Sequence, residues 1–176
     1  MTGRLEQVKA RIPASCYESG MESGRVEHIH VATGEGEPMR AADSIRLLAG
    51  IGLEGDRYAT GRGHFSGLAG SGRALTLIES EALEALRESH GLELRPGGTR
   101  RNLTTRGIAL NPLVGRRFRI GSVLCEGTRL CEPCRYLEGV AGMPLLEALR
   151  NRGGLRADVL EDGEIHVGDE LRPLDR

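Results

Sequence analysis

Lysine is almost absent from this chain: of 24 basic residues only Lys9 is not an arginine. Schiff-base chemistry on a lysine amine therefore has one badly placed candidate. Tryptophan is missing and aromatics make up 3% of the residues, too few for the stacking platforms that single-stranded nucleic acid needs. No apolar run approaches the roughly 20 residues that cross a bilayer. Residues 1–11 mix charged and polar side chains without the apolar centre of a signal peptide. The 25 acidic residues leave a net charge of -1, so no bulk field draws the chain to nucleic acid or membrane. Repeats, low-complexity tracts and convincing linkers are also missing. These absences point to the cytoplasm, where the four cysteines read as thiols before disulfides.

What remains is an ordinary globular composition, 39% hydrophobic and 28% charged over 176 residues. That length suits one domain with a real core. Residues 1–24 read as a leader ending in Ser23-Gly24, and residues 25–176 as the folded domain. Val26, His28 and His30 alternate with Glu27, Ile29 and Val31 as in a strand, which places both histidines on one half-buried face. Residues 74–78 read as a strand feeding a helix over 80–90, with Ser80 as N-cap, Leu83 and Leu86 inside, and Gly91 as the stop. Further strands are expected at 102–105, 116–120 and 123–127. A short helix starts at Pro144, a hairpin spans 155–167 around Glu161-Asp162-Gly163, and a last strand covers 170–174. The pattern is mainly β with a few helices (α+β) and favours a closed or nearly closed β-barrel, with an open sandwich competing.

Three stretches could carry chemistry. In Cys131-Glu132-Pro133-Cys134, with Cys125 upstream, a thiolate could attack electrophiles or bind a soft metal. A helical turn beginning near Pro133 and the adjacent Arg135 would favour ionisation of Cys134. A single reactive thiol, a buried structural pair, zinc ligation and a redox dithiol all fit this spacing. Zinc would have to recruit Cys125 and the distant His166, and a redox pair expects a βαβ context that is missing here. The glycines around Asp56, Arg57 and Tyr58, continuing to His64, allow a tight loop whose amides face a ligand; the plainer reading is an Asp56–Arg57 pair tying two strands. No dinucleotide or phosphate-loop fingerprint is present. Arg100, Arg101 and Asn102, with Arg117 and Arg119 beyond, could converge into an anion pocket or protect a solvated edge strand. His64, inside the glycine-rich loop, is the best-placed general acid or base.

Taken in order, these stretches resemble a MOSC domain, the module named after the C-terminal part of molybdenum cofactor sulfurase. The resemblance is carried by Gly52 to Tyr58, Leu75 to Glu79, Arg101-Asn102-Leu103, Leu113-Val114-Gly115, Phe118 to Gly121, Cys131 to Cys134 with Leu137, and Gly168-Asp169. It spans residues 25–174 and is nearest in size to the small standalone bacterial members. It implies a strand-rich barrel around one essential cysteine, by position Cys134. That residue would ligate the metal of a molybdenum–pterin cofactor or carry sulfur as a persulfide. Asp56, Arg57, Tyr58, Arg101, Asn102 and Arg119 would hold the cofactor, with His64 as a further catalytic residue. Pyridoxal phosphate is not expected, because the sulfurase domain that holds it is not part of these 176 residues. A cysteine desulfurase or an electron-transfer protein would be the partner, and the reduction of N-hydroxylated compounds a candidate reaction. A barrel whose Cys131–Cys134 clip binds zinc or senses redox state, acting through protein contacts, is the alternative.

Overall fold

The structure, a computed structural model, describes residues 22–174. The expected leader, including Cys16, therefore lies almost wholly outside the described residues. Eleven strands are seen: β1 (Gly24–Val31), β2 (Arg40–Ala42), β3 (Ser44–Leu48), β4 (Gly52–Leu53), β5 (Leu75–Glu79), β6 (Leu103–Arg106), β7 (Arg117–Ile120), β8 (Val123–Leu130), β9 (Leu155–Val159), β10 (Gly163–His166) and β11 (Glu170–Pro173). Three helices accompany them, α1 (Ser80–His90), α2 (Arg135–Ala141) and α3 (Leu145–Ala148).

Seven strands close a barrel in the order β1-β6-β5-β9-β8-β7-β11, with Gly24 opposite Leu171 completing the ring. The barrel is what the sequence favours over a sandwich. Closure leaves no unpaired edge within the ring, apart from the short β2 that extends it beside β1. Only β5 and β6 run parallel, and α1 makes the crossover between them. Alternation fills the interior: on β9, Leu155, Ala157 and Val159 point in while Arg156 and Asp158 point out. Phe118, Ile120, Leu77 and Leu103 meet there with Cys125.

Two expectations are corrected. Strands β9 and β10 exist, but they do not form a hairpin. β9 pairs with β5 and β8, whereas β10 joins β3 and β4 in a separate three-stranded sheet. The Glu161-Asp162-Gly163 turn therefore carries the chain between sheets, and Asp162 ties it to Ala49 by accepting that residue's N–H at 2.7 Å. The N-cap of α1 is Glu79 rather than Ser80, whose hydroxyl is spent on Glu27 Oε2 at 2.5 Å.

A bulge between Val26 and His28 also breaks the simple alternation on β1. Val26 and Ile29 enter the core, His28 faces out, and His30 is buried with Nδ1 lacking a partner. Burial, together with the nearby His28, holds the His30 imidazole below its ordinary pKa of 6.5. The unfolded chain then takes up a proton that the folded chain refuses, so stability falls as pH drops below about 6.5. Melting temperatures between neutral and mildly acidic pH should show that fall in the parent and a shallower one in His30→Gln.

Candidate functional site

The ends of β1 and β8 and the beginnings of β6 and β9 meet at one rim of the barrel. Arg101, just before β6, binds them together. Its guanidinium donates to Gly153 O at 2.9 Å, Thr99 O at 3.0 Å and Cys131 O at 2.7 Å. Gly154 (φ 103°) lets the turn before β9 ride directly over β5, since a Cβ there would lie 1.9 Å from Leu77 O.

Asp56 is the second anchor. Its carboxylate is 1% exposed and accepts from Ala32 N (3.1 Å), Tyr58 N (3.2 Å), Asn102 Nδ2 (3.3 Å) and Arg57 Nη1 (3.1 Å). The plainer reading of this loop, an ion pair tying two strands, describes that geometry. Arg57 goes on to donate to Arg100 O at 2.9 Å and lies 4.9 Å from the centre of the Tyr58 ring. Asn102 is spent on Thr76 and on His30 O. Asp56 and Asn102 thus stand behind the site and position it; their polar atoms do not line the cleft.

The cleft is narrow and partly open to solvent. Four arginines line it (Arg57, Arg100, Arg101 and Arg156), together with Cys131 and Cys134. Cys134 is half-buried and occupies the N-cap position of α2 in extended conformation. One side of it packs on the small apolar cluster of Leu86, Leu137, Leu145 and Leu149 that seats the helices on the rim. Arg100 takes a left-handed φ of 59° and donates to Glu37 O at 2.7 Å. Burial, then the charge of Arg57, lowers its basicity.

His64 and Tyr58 also line the cleft. The His64 ring stacks on Tyr136 with centroids 4.0 Å apart, and its Nδ1 lies 2.5 Å from Glu35 Oε1. Tyr136 Oη in turn accepts from Gly36 N at 3.1 Å. The loops after β1 and β4 are thereby laid against α2.

Arg119 is a correction. It sits on β7 on the barrel exterior, held by Ser122 O at 2.5 Å and Glu161 at 2.9 Å, away from the cleft. Arg117, also on β7, pairs with Glu126 on the neighbouring β8, so this run behaves as a charged, solvated strand. The zinc set also fails to assemble: Cys125 is sealed in the barrel while His166 is exposed on β10. Among the described residues no group of three or more His, Cys, Asp or Glu could hold a metal ion. Cys125 is inert for the same reason, since burial pushes its thiol up to about 12. Peptide-resolved alkylation near neutral pH should therefore label Cys134 at least tenfold faster than Cys125, by the exposure and ionisation that control thiol reactivity.

A closed barrel bearing a cysteine-and-arginine cleft at its rim is the class of protein these features define. Residues 62–172 match the model of the MOSC domain, and the chain belongs to that family. No curated protein matches the chain in sequence. Among solved structures it is similar to the YuaD protein from Bacillus subtilis, with 16% identity, TM-score 0.71, and coverage of 85% of this chain and 94% of that one. YiiM from Geobacillus stearothermophilus follows with 19% identity, TM-score 0.66, and 87% and 76% coverage. YiiM from Escherichia coli gives 21% identity, TM-score 0.61, and 86% and 70% coverage. At these identities the likeness speaks for the fold. Among the described residues no helix is long and apolar enough to cross a membrane.

Proposed function

We propose that this chain binds a molybdenum–pterin cofactor through the Sγ of Cys134. The MOSC family is associated with that cofactor and with sulfur transfer. The carrying observation is a half-buried thiol that opens onto a cleft lined by four arginine residues. A thiolate is a soft donor suited to such a metal, and arginine forks suit the oxyanions of a phosphorylated pterin, so the donor set fits the group. When bound, the cofactor would supply two-electron redox chemistry, with N-hydroxylated small molecules as substrates and an electron-transfer protein as partner.

The chain's own residues have separable tasks. Arg101 fixes the loop that presents Cys134, by holding the carbonyl of Cys131. Asp56 orients Arg57 toward the cleft wall through their ion pair. With Nδ1 of His64 engaged by Glu35, Nε2 is the ring atom that can give or take a proton. The free thiols of Cys125, Cys131 and Cys134 suit a reducing, cytoplasmic location.

One observation favours a second reading: Cys131 lines the same cleft as Cys134. A persulfide on Cys134, supplied by a cysteine desulfurase, would then be handed on to a metal–sulfur cofactor. The two readings separate by analysis of freshly purified protein. Cofactor binding gives molybdenum that is retained in full in Cys125→Ser and much reduced in Cys134→Ser; equal metal in both variants overturns it. Sulfur carriage gives an added mass of about 32 Da on the Cys134 peptide after incubation with a desulfurase and cysteine.

A further inference from the structure

Cys134 also borders a second cleft, on the outer face of the same rim, with about 790 Å³ of space partly open to solvent. Its walls include Arg73, Arg129 and Arg156, with Phe65, Leu68 and Glu132. The bulge between Gly127 and Arg129 on β8 places Arg129 directly opposite Arg156 on β9. Like charges facing each other across a strand pair are destabilising. Arg73 brings a third charge to the same wall. Its Nη atoms are engaged by the carbonyls of Leu68, Ala69 and Gly70, which lend no negative charge.

Among the described residues none of these three arginines forms an ion pair, unlike Arg57, Arg106, Arg117 and Arg119. Two of them bury a donor that has no partner, Nη1 of Arg156 and Nε of Arg73. An unpaired buried donor is costly, so two at one cleft mark a place where an acceptor belongs. Arg129 is held below its ordinary basicity, by burial first and then by Arg156 and Arg73, as expected of crowded cations. Glu132 is the one acid on the walls, and its Oε2 is taken by Asn151 N at 3.0 Å.

We propose that Arg73, Arg129 and Arg156 form an oxyanion site that holds the phosphate or carboxylate end of a small molecule whose other end reaches Cys134. The anion site shares Arg156 with the cofactor cleft but takes Arg73 and Arg129 from outside it, and its link to chemistry at Cys134 rests on the proposed function. The two fail separately, because Cys134→Ser leaves the three arginines in place.

The test is calorimetric titration of the full chain with inorganic phosphate, glycerol 3-phosphate and succinate at low ionic strength, where screening is weak. The parent and Cys134→Ser should bind at least one of the three equally well, and which one is bound tells phosphate from carboxylate. Arg156→Gln should weaken binding about tenfold or more, the usual loss for one charge-assisted hydrogen bond. Arg129→Gln, at an exposed position on β8, should weaken it too. The bound anion should also slow iodoacetamide labelling of Cys134 in the parent and not in Arg129→Gln. Absence of binding by the parent, or binding unchanged in Arg129→Gln and in the Arg129/Arg156 double variant, would overturn the proposal.

Discussion

Asp56→Ala is expected to remove about 3–5 kcal/mol of stability, the range for leaving a buried ion with no partner. The carboxylate is buried and joins four groups, among them the buried guanidinium of Arg57 and the amide of Asn102. Removing it leaves Arg57 desolvated and without a counter-charge, held by Arg100 O, Met39 Sδ and the Tyr58 ring. Domains of ordinary size have only about 5–15 kcal/mol in total, so the variant should be marginal near room temperature. Asp56→Asn retains an acceptor in the same shape and should lose less. Glu147→Ala, which breaks an exposed pair with Arg150, should change stability by less than about 1 kcal/mol. Urea unfolding of the three variants makes the comparison. An Asp56→Ala loss no larger than that of Glu147→Ala would show that the carboxylate does not organise this rim.

Arg101→Met should be nearly as damaging, for a different reason. The substitution keeps much of the side-chain volume but orphans three carbonyls, those of Thr99, Cys131 and Gly153. Each unsatisfied buried acceptor costs about 1–3 kcal/mol, less where the chain can relax toward water. We expect about 3 kcal/mol in unfolding experiments. We also expect a change in the alkylation rate of Cys134, because the loop from 131 to 134 loses the bond that fixes its start. Arg101→Lys should rescue little, since an ammonium cannot reach three carbonyls in the guanidinium plane. Full rescue by lysine would show that only charge matters there.

Much of this molecule was legible in its residues. The strand patterns placed β1, β5, β6 and β7 within a residue and stopped β8 three residues short, and Gly91 marked the end of α1, where it takes a left-handed conformation. Pairing was harder to read. β9 and β10 flank a good turn sequence, yet burial of Leu155, Ala157 and Val159 between β5 and β8 outweighs the local hairpin. The short β2, β3 and β4 lack strong alternation and exist through their partners. At the site, Cys134, Arg57 and Arg101 could be picked out by residue type, and the tie between Asp56 and Arg57 by their adjacency. Arg119 could not be excluded, because alternation tells which face of a strand a residue takes but not which end of the barrel it nears. Arg156 went unnoticed for the converse reason. It is one outward residue on an ordinary strand, and only the register with Arg129 makes it a feature.

The central claim is that the sulfur of Cys134 bonds directly to the metal of a bound cofactor. X-ray absorption at the molybdenum edge on protein purified with the metal reads that bond. The account predicts a sulfur shell that loses one scatterer in Cys134→Ser and stays unchanged in Cys131→Ser. Identical shells in the parent and in Cys134→Ser, at equal metal content, would contradict it.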